Sequence, residues 1–502
     1  MIDFLRLSNI SKNFGGVQAL KGVDFSIGKG EIHCLVGENG SGKSTLIKII
    51  SGNLQPDSGE IWIEGQIYRH LRSIDSINLG IQVIFQDFAL FPNLTVAENI
   101  AYSQLVEKKE KFLNWNEIES IARLATDKIK IKLDLDEKVG NLSVANQQMV
   151  AICRALTSDL RFLILDEPTS ALTKKEIDQL FVIVKDLQQK GISVMFVSHK
   201  LNEVLEIAER ITVIRDGQNV ATLPREEITN EKLIYLMTGK EISYSRNRKL
   251  IQTEKKLLEV QNLSKRNNFK DISFVLHYGE IFGITGLLGS GRTELALALF
   301  GMDPADSGKI FVDGKEVHIR SVKDAIQAGI GYVPENRLEQ GLIMKKSVSE
   351  NIVTVIIKRL LGNFNLIDSK KWDTTVNSWI NELGIKVANP EVPVQTLSGG
   401  NQQRVVIAKW LSVQPKILIL DSPTVGIDIA AKSSIHSIIR EMADKGVGII
   451  FISDEIPEVV NNCNRIAIMR NGRIFEQIDT TDITEAEIQR LVEMSETVSV
   501  LK

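Results

Sequence analysis

The sequence predicts an α/β protein built from one domain written twice, and three observations carry that prediction. The first is internal repetition. Leu5-Arg6-Leu7-Ser8-Asn9-Ile10-Ser11-Lys12 returns as Leu258-Glu259-Val260-Gln261-Asn262-Leu263-Ser264-Lys265, and Phe162-Leu163-Ile164-Leu165-Asp166 returns as Ile417-Leu418-Ile419-Leu420-Asp421. The second is a change of hydrophobic rhythm inside each copy. Val23 to Ile27 and Glu60 to Ile63 alternate apolar with polar, as half-exposed antiparallel strands do, whereas 162–165 and 194–197 are short continuous apolar runs, as strands buried between helices are. The third is a glycine-rich loop set between a strand-like run and a helix, described below.

Each repeated block holds its place. Ser58-Gly59-Glu60-Ile61-Trp62-Ile63-Glu64-Gly65 returns as Ser307-Gly308-Lys309-Ile310-Phe311-Val312-Asp313-Gly314, and Arg210-Ile211-Thr212-Val213-Ile214-Arg215-Asp216-Gly217 as Arg465-Ile466-Ala467-Ile468-Met469-Arg470-Asn471-Gly472. A period this long marks a duplicated domain and not a solenoid. The expected boundaries are 1–242 for the first domain, 243–256 for a polar linker and 257–502 for the second. A helical subdomain is expected at about 112–133, inserted between the glycine loop and the acidic strand end.

Composition bounds the chemistry. Of 502 residues, 43% are apolar and 25% charged, ordinary for a soluble globular chain. The net charge of −3 speaks against a dedicated nucleic-acid binder, which carries a basic excess. Three scattered cysteines, Cys34, Cys153 and Cys463, are too few for a disulfide framework or a zinc site. The N-terminus lacks a signal-peptide pattern, and no apolar run approaches the roughly 18 to 20 residues that span a bilayer. The expectation is a cytoplasmic chain whose membrane role comes through a partner.

In the first copy Glu31-Ile32-His33-Cys34-Leu35-Val36 runs into Gly37-Glu38-Asn39-Gly40-Ser41-Gly42-Lys43-Ser44-Thr45. That is strand, GxxxxGK[ST], helix. The glycines let backbone N–H groups converge on phosphate oxygens, and the helix adds its positive end. Lys43 is expected on the β- and γ-phosphates and Ser44 on Mg²⁺. Downstream, Leu165-Asp166-Glu167-Pro168-Thr169 ends a strand with two carboxylates: Asp166 for Mg²⁺ through its water shell, Glu167 to polarise the attacking water. Gln86 and His199 each follow a strand-like run, at the edge where α/β sheets hold ligands. A lone Gln or His is more often a plain surface residue, but both stand where a γ-phosphate would be sensed.

The copies fail in complementary places. The first has Leu142-Ser143-Val144-Ala145-Asn146 where the second has Leu397-Ser398-Gly399-Gly400-Asn401, and Ser398, Gly399 and Gly400 permit close backbone approach to a phosphate. Ser398 also suits a helix N-cap, and the two roles are compatible. The second copy reads Gly286-Leu287-Leu288-Gly289-Ser290-Gly291-Arg292-Thr293, with a planar guanidinium for the ammonium. Ser422 follows Asp421 where a glutamate would serve as base, Glu335 stands for Gln86, and Asp454 for His199. Head-to-tail pairing would gather the sound parts into one site and the damaged ones, Ser143 among them, into another. The expectation is one working ATPase site and one degenerate site.

In this order the motifs resemble an ABC transporter ATP-binding subunit: Walker A at 37–45, Q-loop Gln86, Walker B through Asp166, switch His199 and the signature at 397–402. The tandem form is most similar to sugar-importer ATPases of the ribose, galactose and xylose type. Lys12-Asn13-Phe14-Gly15-Gly16-Val17-Gln18-Ala19-Leu20, Gly289-Ser290-Gly291-Arg292-Thr293-Glu294-Leu295 and Tyr332-Val333-Pro334-Glu335 carry that likeness. It implies two tandem ABC-type P-loop NTPase domains, each a RecA-like core with antiparallel-β and helical subdomains. It also implies Phe14 stacked on adenine, Gln86 beside Mg²⁺ with Ser44 and Asp166, and ATP and Mg²⁺ as cofactors. Integral membrane permease subunits would be the direct partners, with an extracytoplasmic solute-binding protein acting indirectly and no nucleic acid. Ser422, Asp454 and Asn146 depart from the family's usual glutamate, serine and glutamine.

Rival readings are weaker. A ribosome-associated tandem ATPase would carry a long basic linker and two Walker B glutamates, and a DNA-repair ATPase would carry zinc-type cysteine pairs. A nucleoside importer shares the tandem architecture and stays open against a sugar importer.

Overall fold

A computed structural model describes residues 3–108, 114–169, 172, 174–198, 200–239, 255–287, 289–481 and 483–497. The chain divides into two compact units, Met1–Ile242 and Ser243–Lys502.

The first unit opens with β1 (Asp3–Phe14), β2 (Val17–Gly28), β3 (Ile32–Val36) and α1 (Lys43–Ile50). β4 (Ser58–Ile63), β5 (Gln66–Tyr68), α2 (Ser73–Asn78) and β6 (Ile81–Ile84) follow. Three helices come next: α3 (Val96–Lys108), α4 (Trp115–Lys128) and α5 (Val144–Ala155). Then β7 (Phe162–Asp166), α6 (Lys174–Gln189), β8 (Ser193–Val197), α7 (Leu201–Ile207), β9 (Arg210–Arg215), β10 (Gln218–Pro224) and α8 (Asn230–Thr238) close it. One sheet runs β2-β1-β4-β5, all antiparallel; the other runs β10-β9-β3-β8-β7-β6, parallel except for β10.

The two sheets follow from the two rhythms. Every residue of β3 and β8 is buried, as a strand needs when both its faces are covered. β4 buries only Ile61 and Ile63, two apart, and leaves Ser58, Gly59 and Glu60 out. The core of the unit forms between the sheets and α1. Phe4 of β1 meets Phe162 of β7 edge to face at 5.8 Å, and Leu46, Ile47 and Ile50 of α1 join them.

The second unit repeats this order with β11 (Lys256–Lys265), β12 (Phe269–His277), β13 (Ile281–Gly286), α9 (Arg292–Leu299), β14 (Ser307–Val312) and β15 (Lys315–Val317). α10 (Val322–Gln327), β16 (Ile330–Val333), α11 (Val348–Val353), α12 (Ser369–Glu382) and α13 (Gly399–Leu411) follow. β17 (Ile417–Asp421), α14 (Ile429–Asp444), β18 (Gly448–Ile452), α15 (Ile456–Asn462), β19 (Arg465–Arg470), β20 (Arg473–Asp479) and α16 (Glu485–Thr497) end it. Its sheets, β12-β11-β14-β15 and β16-β17-β18-β13-β19-β20, match those of the first unit strand for strand.

Three expectations need correction. The helix expected at about 112–133 runs only from Trp115 to Lys128, because Lys130 takes a left-handed backbone (φ 56) that no α-helix continues through. Residues 112 and 113 lie outside the described residues. The strand-like run that Gln86 is expected to follow directly ends one residue earlier, at Ile84. Of the expected linker, 243–254 lie outside the described residues, and Lys256 is already in β11. Among the described residues no helix is long and apolar enough to cross a membrane.

Phe196 at the centre of β8 is fully buried and meets Phe181 edge to face at 5.8 Å. Phe196→Ala is expected to destabilise the first unit by about 3–5 kcal/mol. Hydrogen exchange followed peptide by peptide checks this: protection falls across the first unit and not the second.

Candidate nucleotide site

β3 ends at Val36 beside Val213 of β9, and the chain must then turn in very little space. A Cβ on Gly37 would lie 2.2 Å from the Ile214 carbonyl oxygen, so no side chain fits there. Gly42, at φ 108, caps α1 and would strike the Ala19 carbonyl at 2.7 Å. Gly40, at φ 81, has nothing within 4 Å of where a Cβ would stand. The loop is therefore packed tight on its inner side and open on its outer side. Lys43 curls back into it, its ammonium donating to the carbonyls of Gly37 (2.7 Å) and Glu38 (2.9 Å). Burial draws its pKa down, opposed by the charges of Glu167, Asp166 and Glu38. The Ser41 hydroxyl is buried with no hydrogen-bond partner.

A pocket lies on the open side, lined by Ala19, Asn39, Gly40, Gly42, Lys43, Ser44, Thr45, Asp166 and Glu167. Asp166 ends β7 opposite Val197 of β8. Burial, and then the neighbouring Glu167 charge, push its carboxyl above the usual range, against the pull of Lys43 and Lys48. Glu167 leaves the strand with φ 50, and its amide donates to the Val197 carbonyl at 2.9 Å. A carboxylate held up in pKa beside the Ser44 hydroxyl is an oxygen donor set short of positive charge, which fits a hard cation such as Mg²⁺. Asp166 and Ser44 would hold it.

The remaining sequence-derived residues are placed as follows. Gln86 lies two residues past β6, whose Ile84 pairs with Leu165, so it stands exposed at the same sheet edge as Asp166 but does not line the pocket. Phe14 ends β1 at the hairpin to β2, half exposed, with the Lys12 ammonium 5.9 Å from its ring. It also stands off the pocket lining. His199 lies outside the described residues.

The second copy keeps the curl and changes the chemistry. A Cβ on Gly286 would again meet a carbonyl, that of Met469, at 2.2 Å; Gly291 is left-handed at φ 96. Ser290 repeats the buried, unpartnered hydroxyl of Ser41. Arg292 is held low in pKa by burial, with Asp454, Asp421, Glu335 and Glu294 pulling the other way. Glu335 and Asp454 stand exposed past β16 and β18. Ser422 copies the backbone of Glu167, φ 46 with its amide on the Ile452 carbonyl at 2.9 Å, and brings no carboxylate.

Asp421 differs most from its counterpart. It is fully buried, one oxygen accepting from the Tyr332 hydroxyl at 3.2 Å. Burial first, with Glu335 adding, pushes it up to about 6, while hydrogen bonds from Thr293 and Tyr332 pull it down. Val83 occupies the position of Tyr332 in the first copy, so Asp166 has no such cover. The sequence reading missed Tyr332 and Ala19. A hydroxyl next to an aspartate across two paired strands shows only once the β16–β17 register is known (Val333 beside Leu420).

Ser398 stands at the N-cap of α13, but its hydroxyl accepts from the Asn401 amide at 3.0 Å instead of capping the backbone. Ser143 does cap α5, accepting from the Asn146 N–H at 3.3 Å. The glycines after Ser398 have a packing reason of their own. A Cβ on Gly400 would sit 2.6 Å from that of Ala431, and one on Gly399 2.9 Å from the Arg337 guanidinium. Arg337 bridges to the carbonyls of Val425 and Gly426.

A parallel sheet whose carboxyl edge joins a phosphate-type loop to two acidic residues defines a P-loop nucleotide-binding protein. The family model described as "ABC transporter" matches residues 20–170 and 269–425. The chain belongs to the ABC transporter family; it is an ATPase of that family, working on ATP with Mg²⁺. It is 40% identical to the ribose import ATP-binding protein RbsA 2 of Rhizobium meliloti (strain 1021), over 97% of this chain and 95% of that one. The corresponding RbsA of Bacillus subtilis (strain 168) is 38% identical over 97% of this chain and 99% of its own. A putative ribose/galactose/methyl galactoside import ATP-binding protein of Agrobacterium fabrum (strain C58) is 41% identical, over 97% and 96%.

The Asp421 environment yields a pH test. Its folded pKa, about 6, lies above the ordinary aspartate value, so its ionised form costs stability. That cost is fully present above pH 6 and gone below pH 4. Asp421→Asn is expected to stabilise the second unit by roughly 1–3 kcal/mol at pH 7 without nucleotide. Denaturant melts at pH 7 and pH 4 check it: the gain shrinks as the pH falls through 6 to 4.

Proposed function

We propose that this chain is the ATP-hydrolysing, energy-coupling subunit of a membrane importer for a monosaccharide or sugar alcohol. It would sit on the cytoplasmic face of the cell membrane against integral permease subunits, with an extracytoplasmic solute-binding protein delivering the solute. One observation carries the reading: Lys43, Ser44, Asp166 and Glu167 line a single pocket over a glycine loop. The ribose and galactoside import functions named for its relatives support the solute class.

The chain's own groups divide the work. An ammonium has three donors, and the loop carbonyls take two of those on Lys43, leaving one for a phosphate oxygen. Ser44 and Asp166 hold Mg²⁺, which when bound neutralises charge on the phosphates. Glu167 takes up the proton of the attacking water. In this reading Gln86 and His199 sense the γ-phosphate, Phe14 stacks on the adenine, and Ser398, Gly399 and Gly400 bind ATP. Arg292, Thr293, Glu335, Asp421, Ser422 and Asp454, with Ser143, make a second site without hydrolysis. Binding ATP more tightly in a closed than in an open state is what couples it to transport.

Cells lacking the chain, or carrying it as wild type or as Glu167→Gln, are given labelled pentoses, hexoses, sugar alcohols and nucleosides. Uptake of one sugar class is expected to be lost both in the deletion and in Glu167→Gln, where hydrolysis falls by roughly 10²–10⁴-fold. Normal uptake in Glu167→Gln cells overturns the single-site reading. Loss confined to nucleosides overturns the sugar.

A further inference from the structure

Each copy holds a buried polar knot that the chemistry above does not use. Glu203 of α7 is 8% exposed and spends both carboxylate oxygens. One accepts from the Thr169 hydroxyl at 2.5 Å and the Ser198 hydroxyl at 3.2 Å; the other meets the Lys200 ammonium at 3.3 Å. The Ser198 hydroxyl also accepts the Lys200 amide at 3.0 Å, and the Lys200 ammonium donates to the Thr169 carbonyl at 2.9 Å. Thr169 lies two residues past Glu167, and Ser198 and Lys200 flank position 199 in the sequence. The knot therefore joins the segment that carries the base to the segment that leaves β8.

The second copy repeats the framework 255 positions on. Thr424 and Ser453 donate to one oxygen of Glu458 at 2.7 and 3.0 Å, and the Glu455 amide donates to Ser453 at 3.1 Å. The cation differs. Glu455 stands in place of Lys200, and the ammonium near Glu458 comes from Lys432 of α14, at 3.4 Å. In the first copy the charge that neutralises the glutamate also ties the two loops together; in the second it comes from a neighbouring helix.

A buried carboxylate with two hydroxyl donors and an ammonium is satisfied in one arrangement only, and moving either loop leaves a charge unpaired. We propose that Glu203, acting with Lys200, is a positioning residue for ATP hydrolysis: it fixes Ser198 and Lys200 relative to Thr169 and the Glu167 segment. The inference rests on the first copy being the working site.

The test compares the full-length chain as Glu203→Gln, Thr169→Val, Glu458→Gln and Glu167→Gln, measuring kcat and KM for ATP together with melting temperature. Glu203→Gln is expected to lower kcat roughly 10- to 100-fold with KM for ATP within about twofold, since loss of geometry and not of binding is at stake. Thr169→Val, which keeps the side-chain shape, moves kcat in the same direction if Glu203→Gln fails to fold. Glu458→Gln removes the matching knot from the second copy, costs similar stability and leaves kcat unchanged. An unchanged kcat in both Glu203→Gln and Thr169→Val overturns the inference, as does an equal fall in Glu458→Gln, which would make the knot purely structural. If Glu167→Gln itself still hydrolyses ATP, the reading of the working site fails and the inference falls with it; if Glu167→Gln is inactive and Glu203→Gln is normal, only the inference fails.

Discussion

The end of β7 is held by a single backbone hydrogen bond, from the Glu167 amide to the Val197 carbonyl, made just after Asp166 has paired with Val197. To make it, Glu167 adopts a left-handed backbone, φ 50, a conformation costing a non-glycine residue on the order of 1–3 kcal/mol. Strand pairing on the central sheet over-determines the turn. The consequence is geometric: the carboxylates of residues 166 and 167 come to one pocket together with the Lys43 loop, which leaves β3 one strand beyond β8. The turn persists at Ser422 with φ 46 and the same bond to Ile452, where no carboxylate remains to be aimed. Backbone and chemistry separate cleanly there. The turn belongs to the fold, and only the side chain decides whether it acts.

The same separation explains the glycine loops. Gly37 and Gly286 each press against a carbonyl of the neighbouring strand's exit, at 2.2 Å for a hypothetical Cβ. That contact is internal to each unit and requires no ligand. Glycines in the second loop are thus demanded by packing even where Arg292 has replaced the ammonium, so their presence says little about phosphate. Gly40 and its counterpart Gly289 have open space where a Cβ would stand, but both are left-handed, φ 81 and 76, so backbone conformation alone accounts for a glycine at each.

Much of this was legible in the sequence because the relevant signals are local. Continuous runs such as Phe162 to Leu165 mark strands covered on both faces, and GxxxxGKS after such a run marks the loop. The duplication was legible because its blocks recur in fixed order. The end of α4 was not: Ile129, Ile131 and Leu133 prolong an apolar pattern past Lys128, and the left-handed Lys130 that stops the helix leaves no mark in hydrophobicity. Nor was the cover on Asp421. It depends on β16 pairing with β17 in a register that brings a tyrosine hydroxyl to an aspartate 89 residues away. The Glu203 knot likewise joins residues 34 and 5 positions apart through two loops, and none of the three is unusual for its own segment.

The two cations show how the same loop holds two different side chains. The Lys43 ammonium is small enough to lie within the loop's curl and donate to two carbonyls there. Its attraction to Asp166 and Glu167 then acts at the pocket wall, where a phosphate would meet all three. A guanidinium is wider and planar, with donors fixed in a fork. Arg292 is buried amid four carboxylates, yet one of its terminal nitrogens finds no partner. Around it, Asp421 is buried beside the Tyr332 hydroxyl, while Glu335 and Asp454 are exposed. In the first copy Asp166 and Glu167 line the pocket with Lys43; in the second, four carboxylates act on a buried guanidinium. A fold that keeps its glycines and its strained turn in both copies thus differs between them, at this edge of the sheet, through side chains alone.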